Sequence, residues 1–190
     1  YEKNSYDELE TRFPEYLRGY FDAVMEAQLN ISGGTIIEPM LTADILERVS
    51  EYFELKKSKD SFSDLGLVFA TTVLGFKTAS LQRQRALLAL VAKFPVNLYT
   101  NTGGDTLLRV KNCGSVDYWS EMPKVFRYSK INLNFTIPNI KSGLPLRIFD
   151  VLGAGGFLLT NYQAELPDYF EIGKDLACFE SEAELVEKCS

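Results

Sequence analysis

Lys130-Ile-Asn-Leu-Asn-Phe135, Ser142-Gly-Leu-Pro-Leu-Arg-Ile-Phe-Asp150 and Gly153-Ala-Gly-Gly-Phe-Leu-Leu-Thr-Asn161 decide the fold of this chain. The first stretch reads as a short buried strand. The second is a loop leading into a helix started by Pro145, because proline is tolerated in the first turn. The third is a glycine-rich break followed by another buried strand. Strand, helix and strand in that order form a βαβ unit, the element of a doubly wound parallel α/β sheet. In such sheets the helix N-terminus points to the edge where ligands bind.

The alternation continues in both directions. Upstream, a helix over 80–93 leads into the buried strand Phe94-Pro-Val-Asn-Leu-Tyr-Thr100, and Thr102-Gly-Gly-Asp105 forms the loop at its end. A short strand is expected over Leu107–Lys111, a loop over Gly114–Tyr118 and a helix over Glu121–Arg127. The strand of the opening stretch covers Ile131–Phe135, its helix Pro145–Leu152, and the next strand Phe157–Thr160. Downstream come a helix over Ala164–Phe170, a strand over Leu176–Phe179 and a helix over Glu182–Lys188. Strands separated by helices at this spacing require parallel pairing and right-handed crossovers. The fold class is therefore α/β, with a Rossmann-like sheet.

The first sixty residues are different. Leu9, Phe13, Leu17, Tyr20, Phe21, Val24, Met25 and Leu29 recur at helical spacing, with Pro14 restarting the helix. Ser32-Gly-Gly34 breaks the pattern, Thr42 caps a second amphipathic helix, and Lys56–Asp60 is a solvated connection. Residues 1–60 thus read as a helical arm and 61–190 as the α/β domain. Within 61–77, Leu65, Val68, Phe69, Val73 and Phe76 suit a buried helix, whereas Val68-Phe-Ala-Thr-Thr-Val73 also suits a strand; helix is the favoured reading.

Composition narrows the chemistry. The chain has 190 residues, no histidine and three cysteines, Cys113, Cys178 and Cys189, without metal-ligand spacing. A Ser-His or Cys-His nucleophile and a His-ligated metal are excluded within these residues. The cysteines read as free thiols of a reducing compartment, so a cytoplasmic location is expected. Nothing at the N-terminus resembles a signal peptide, and no run approaches the roughly 20 apolar residues of a membrane span. The chain starts at Tyr1 and stops at Ser190 inside a helical pattern, which reads as a piece of a longer protein.

The net charge of −6 is unevenly spread. Residues 1–60 hold thirteen acids and seven bases, residues 61–160 five acids and eleven bases, and residues 161–190 eight acids and two bases. The basic middle reads either as uneven helix surfaces or as the surroundings of an anionic ligand. An acidic total without a Lys/Arg tract argues against nucleic acid as partner.

Several residues converge on a nucleotide diphosphate. Gly143 and Pro145 place a helix start at the C-terminal edge of the sheet, where backbone N–H groups and the helix dipole favour phosphate. Arg147 adds a bidentate donor there, unless it serves as a surface salt bridge. Asp150, three residues on, either pairs with Arg147 or accepts hydrogen bonds from a ribose diol. Arg83 is placed to reach a pyrophosphate or is an exposed helix arginine. Val116 and Tyr118 follow Gly114 in a loop where a base can rest, and Thr100 ends the first strand. Gly155, in Gly153-Ala-Gly-Gly156, belongs either to a helix cap or to the ligand turn.

Phe94–Thr100, Gly114–Tyr118, Met122–Asn134 and the long stretch Gly143-Leu-Pro-Leu-Arg-Ile-Phe-Asp-Val-Leu-Gly-Ala-Gly-Gly-Phe-Leu-Leu-Thr-Asn-Tyr-Gln163 closely resemble CgeB-like spore-maturation proteins, group 1 glycosyltransferases of GT-B architecture. The likeness runs from about Lys77 to Lys188. It implies the C-terminal, donor-binding half of a GT-B enzyme, with residues 1–60 as the connector and an acceptor-binding N-terminal domain as partner. Asp150 takes the place of the second acid of the group 1 E-x7-E motif, which contacts the donor's ribose. The first acid falls eight residues earlier, where this chain has Ser142. Arg83 matches the arginine of a Glu-Arg pair whose acid is Gln82 here. The resemblance implies a nucleotide-diphosphate sugar as donor substrate, no cofactor and no metal. Arg147 is then the residue that neutralises the leaving diphosphate. The alternative is a non-catalytic Rossmann-like assembly domain in surface-polysaccharide or coat formation.

Overall fold

The computed structural model describes residues 4–54, 64–101, 110–140 and 142–190. The expected connection at 56–60, the loop 102–105 and most of the strand expected at 107–111 lie outside the described residues. The chain divides into a helical unit, 2–81 with 137–141, and an α/β unit, 82–136 with 142–190.

The helical unit contains α1 (Ser5–Glu10), α2 (Glu15–Leu29), α3 (Ile37–Met40), α4 (Ala43–Ser50), α5 (Leu65–Val68) and a π-helical turn, Phe69–Leu74. Asn4 begins α1 with a capping box, its side chain accepting from Asp7 N–H while the Asp7 carboxylate accepts from Asn4 N–H. Pro14 stands at the N-cap of α2 and Thr42 caps α4, as their positions in the sequence predict. Four phenylalanines hold the core: Phe69 lies 5.2 Å from Phe21 and 5.6 Å from Phe53, and Phe13 lies 5.5 Å from Phe21. Phe69 is fully buried, so the helical unit carries well past residue 60. Buried Gln28 ties down the glycine-rich break by donating to Gly34 O at 2.9 Å and accepting from Ile36 N–H at 2.8 Å. Asn139 donates to Thr71 O in the π turn at 3.2 Å.

Helix α6 (Gly75–Val91) leads to β1 (Asn97–Tyr99), β2 (Lys111–Gly114), α7 (Met122–Tyr128), β3 (Asn132–Asn134), α8 (Leu146–Gly153), β4 (Leu158–Asn161), α9 (Leu166–Tyr169), β5 (Ala177–Phe179) and α10 (Glu182–Lys188). Among the described residues every strand pair is parallel, in two ladders: β1–β2 and β3–β4–β5. Side-chain alternation sends β4 residues to opposite faces. Leu158 joins Ile148, Val151, Leu166 and Cys178 on one side. Leu159 joins Ala86, Leu90, Phe179 and Leu185 on the other. The three-stranded ladder is therefore covered on both faces, as a doubly wound Rossmann-like sheet requires.

The helical stretch Leu65–Val91 is 27 residues long and apolar enough to cross a membrane by length and composition. Its apolar side chains are used inside protein: Phe69, Val73 and Leu74 in the helical core, Ala86 and Leu90 in the α/β core. Lys77, Arg83 and Arg85 interrupt it, which marks a core helix rather than a clear membrane span.

Candidate functional site

In a parallel ladder the connections that follow neighbouring strands leave from one edge. At this edge β3 and β4 are fastened by a buried polar network. Asn134 Nδ2 donates to Thr160 Oγ1 at 2.9 Å and to Thr136 Oγ1 at 3.1 Å. Thr136 N–H donates to Asn161 Oδ1 at 2.7 Å, Asn161 Nδ2 donates to Thr136 O at 3.1 Å, and Thr136 Oγ1 donates to Gln163 Oε1 at 2.9 Å. Each polar group inside has a partner, so the network fixes the edge instead of weakening it. Arg83 reaches the same edge, its Nη2 donating to Phe135 O at 3.3 Å just beyond β3.

Helix α8 starts here. Its N-cap is Pro145, and no side chain caps its first amides. Gly143, with φ of +84°, turns the approach, and its N–H donates to Glu165 Oε2 at 2.8 Å. Arg147, in the first turn, lies with its guanidinium carbon 5.2 Å from the centre of the Phe126 ring and Nη1 2.8 Å from Met122 Sδ, both on α7. That stacking holds the guanidinium plane in place.

Asp150 does not serve as the intrahelical partner of Arg147. Its Oδ1 accepts the Tyr118 hydroxyl at 2.9 Å, across 32 residues of sequence. This bond, then the loss of solvent around the phenol, raises the Tyr118 pKa, with nearby Arg147 acting in the opposite sense. Asp117 organises the rest of that loop. Its Oδ1 accepts from Trp119 N–H, Ser120 N–H and Ser120 Oγ, and the Ser120 bonds hold the carboxyl below its ordinary range. The structure thus brings together Tyr118, Asp150 and Arg147, and it sets Gly143 on the approach to the same helix.

The other expected residues are placed as follows. Val116, half-buried, follows β2 in the loop that carries Tyr118, and Thr100 follows β1. Gly155 stands at the far end of α8, on the way into β4. Gly155 N–H donates to Leu152 O at 2.9 Å and Gly156 N–H to Val151 O at 3.0 Å, a paired C-cap with φ of +71° at Gly155. Arg127 Nη1 donates to Gly155 O at 3.1 Å. A Cβ at Gly156 would come within 2.5 Å of Phe126 O. Close packing and the cap therefore account for both glycines, which do not join Asp150 and Arg147.

Sequence reasoning missed Glu165, Phe126, Met122 and the edge network. Asn132-Leu-Asn134 offered one signal, since strand alternation puts both asparagines on the same face. Among the described residues there is no cluster of three potential metal ligands.

Comparison with known proteins agrees with this architecture. No curated protein and no solved structure matches the chain. A family model described as glycosyl transferase-like matches residues 83–190, the span that contains both ladders, α8 and the Tyr118–Asp150 bond. With more than half of its length matched, the chain belongs to the glycosyl transferase-like family.

Proposed function

We propose that this chain carries the donor-binding half of a metal-independent, CgeB-like glycosyltransferase of GT-B architecture. The observation that carries the reading is the grouping of Arg147, Asp150 and Tyr118 on and beside α8, whose first amides no side chain caps. A nucleotide-diphosphate sugar suits that grouping. The diphosphate meets the helix N-terminus and Arg147, with Arg83 at the same sheet edge, and the ribose diol meets Asp150. The base lies against the Gly114–Tyr118 loop, near Val116 and Thr100.

In the reaction, the bond between the sugar's anomeric carbon and the diphosphate oxygen breaks, and its electron pair goes to that oxygen. Arg147, Arg83 and the helix dipole stabilise the charge that develops there, as preorganised donors do in many enzymes. The acceptor hydroxyl attacks the anomeric carbon and gives its proton to a base on the N-terminal partner domain. The part before the α/β domain serves as connector, and the protein works in the cytoplasm.

Trp119, the single tryptophan, gives the test. Its ring lies 5.1 Å from Tyr118 and is largely exposed. Its fluorescence should change saturably with one of UDP, GDP, ADP or TDP. An unchanged spectrum with all four would remove the donor site and favour an assembly domain.

A further inference from the structure

An internal anion stands where the approach to α8 turns. The β3 connection carries Gly143 into α8, and the β4 connection carries Glu165 into α9. Because β3 and β4 are parallel neighbours, both connections leave from one sheet edge. Glu165 Oε2 accepts the Gly143 N–H at 2.8 Å. Gly143 adopts φ of +84°, a conformation that suits glycine and aims this amide toward the neighbouring connection. Pro145, next but one, supplies no side-chain cap, and the Glu165 carboxylate is a negative charge held on this approach.

We propose that Glu165 is a displaceable latch on the anion site, holding the Gly143 amide until a nucleoside diphosphate takes that position. The proposal rests on the diphosphate reading of α8 given above. One N–H serves one anion, and a carboxylate and a diphosphate beside the same amide repel each other. Glu165 therefore swings off Gly143 when donor binds, and its return helps expel the nucleoside diphosphate after sugar transfer. Glu165 is partly exposed and sits ahead of the four-residue α9, so the swing needs no core rearrangement. It is a regulatory group, distinct from Arg147 and Asp150.

The test compares wild type, Glu165→Gln and, as a charge control, Glu187→Gln on the exposed side of α10. The affinity of each for UDP, GDP, ADP and TDP is read from Trp119 fluorescence. Glu165→Gln keeps the amide acceptor and loses the charge. It should bind whichever nucleotide the wild type prefers about 5- to 10-fold more tightly at low salt, an advantage that salt then reduces. Glu187→Gln should match the wild type. Equal or weaker binding by Glu165→Gln would overturn the latch while the donor site stands. No binding by wild type or either variant would overturn the donor site, and the latch with it.

Discussion

The hydroxyl of Tyr118 donates to Asp150 Oδ1 at 2.9 Å and ties the loop after β2 to α8. The two ladders of the α/β unit are thereby joined at the point where a nucleoside is proposed to bind. The bond fixes one carboxylate oxygen, Oδ1, on the loop.

Tyr118→Phe removes this tether without changing the ring. Nucleotide affinity should fall several-fold while the thermal midpoint moves little, because the residue is exposed. The bond also sets a pH limit. A phenol whose folded pKa is raised contributes stability that is fully present below its unfolded value of about 10 and is lost as pH rises through the folded value. The several-fold advantage of wild type over Tyr118→Phe should therefore be constant around neutral pH, where the phenol keeps its proton, and should be lost above about pH 10. A titration of binding against pH for both proteins checks this.

The three glycines at the end of α8 should respond differently to alanine. At Gly155 the positive φ opposes a side chain, whereas the Arg127 guanidinium that an added Cβ would meet is the far end of a flexible side chain and can move aside. At Gly156 the obstacle is the backbone of Phe126. Urea unfolding should show losses of about 1–3 kcal/mol for Gly155→Ala, and at least as much for Gly156→Ala. Gly153, helical and with open space around its Cβ position, should gain up to about 1 kcal/mol as alanine.

Much of the fold was legible because its elements keep separate periods. Helices α7, α8 and α10 and strands β3 to β5 lie within a residue or two of where apolar spacing puts them. The stretch 61–77 was not legible in the same way. Its π turn at Phe69–Leu74 adds a residue to the helical repeat, so Leu65, Val73 and Phe76 do not share one regular stripe. Phe76 is in fact exposed. The helix that carries Arg147 and Asp150 was legible from Pro145 at its start. The Tyr118 and Glu165 bonds were not, because each joins separate connections and depends on strand pairing rather than spacing. The glycine run was legible only as a pair of alternatives, helix cap or ligand turn, and the cap bonds of Gly155 and Gly156 appear only in the structure.

Cys178 offers a test of the α/β core. Burial pushes its thiol up to about 11, with Glu184 and Glu180 acting in the same direction and Lys188 against them. Burial also raises Cys189. At pH 8 only on the order of 0.1% of Cys178 is thiolate, so a thiol reagent should label it slowly in native protein and rapidly in urea. The raised value contributes stability below the ordinary thiol range that is lost as pH rises through about 11. Rapid native labelling of Cys178 would show that the face it shares with Ile148 and Leu158 opens readily.

Calorimetric titration with UDP, GDP, ADP and TDP, with and without magnesium, tests the central claim most directly. The wild-type chain is compared with Arg147→Ala and Asp150→Ala. The expected result is saturable binding of one nucleotide, independent of magnesium, weakened at least tenfold in both variants (about 1.4 kcal/mol). Binding that both variants retain at full strength, or none by the wild type, would contradict a donor site on α8.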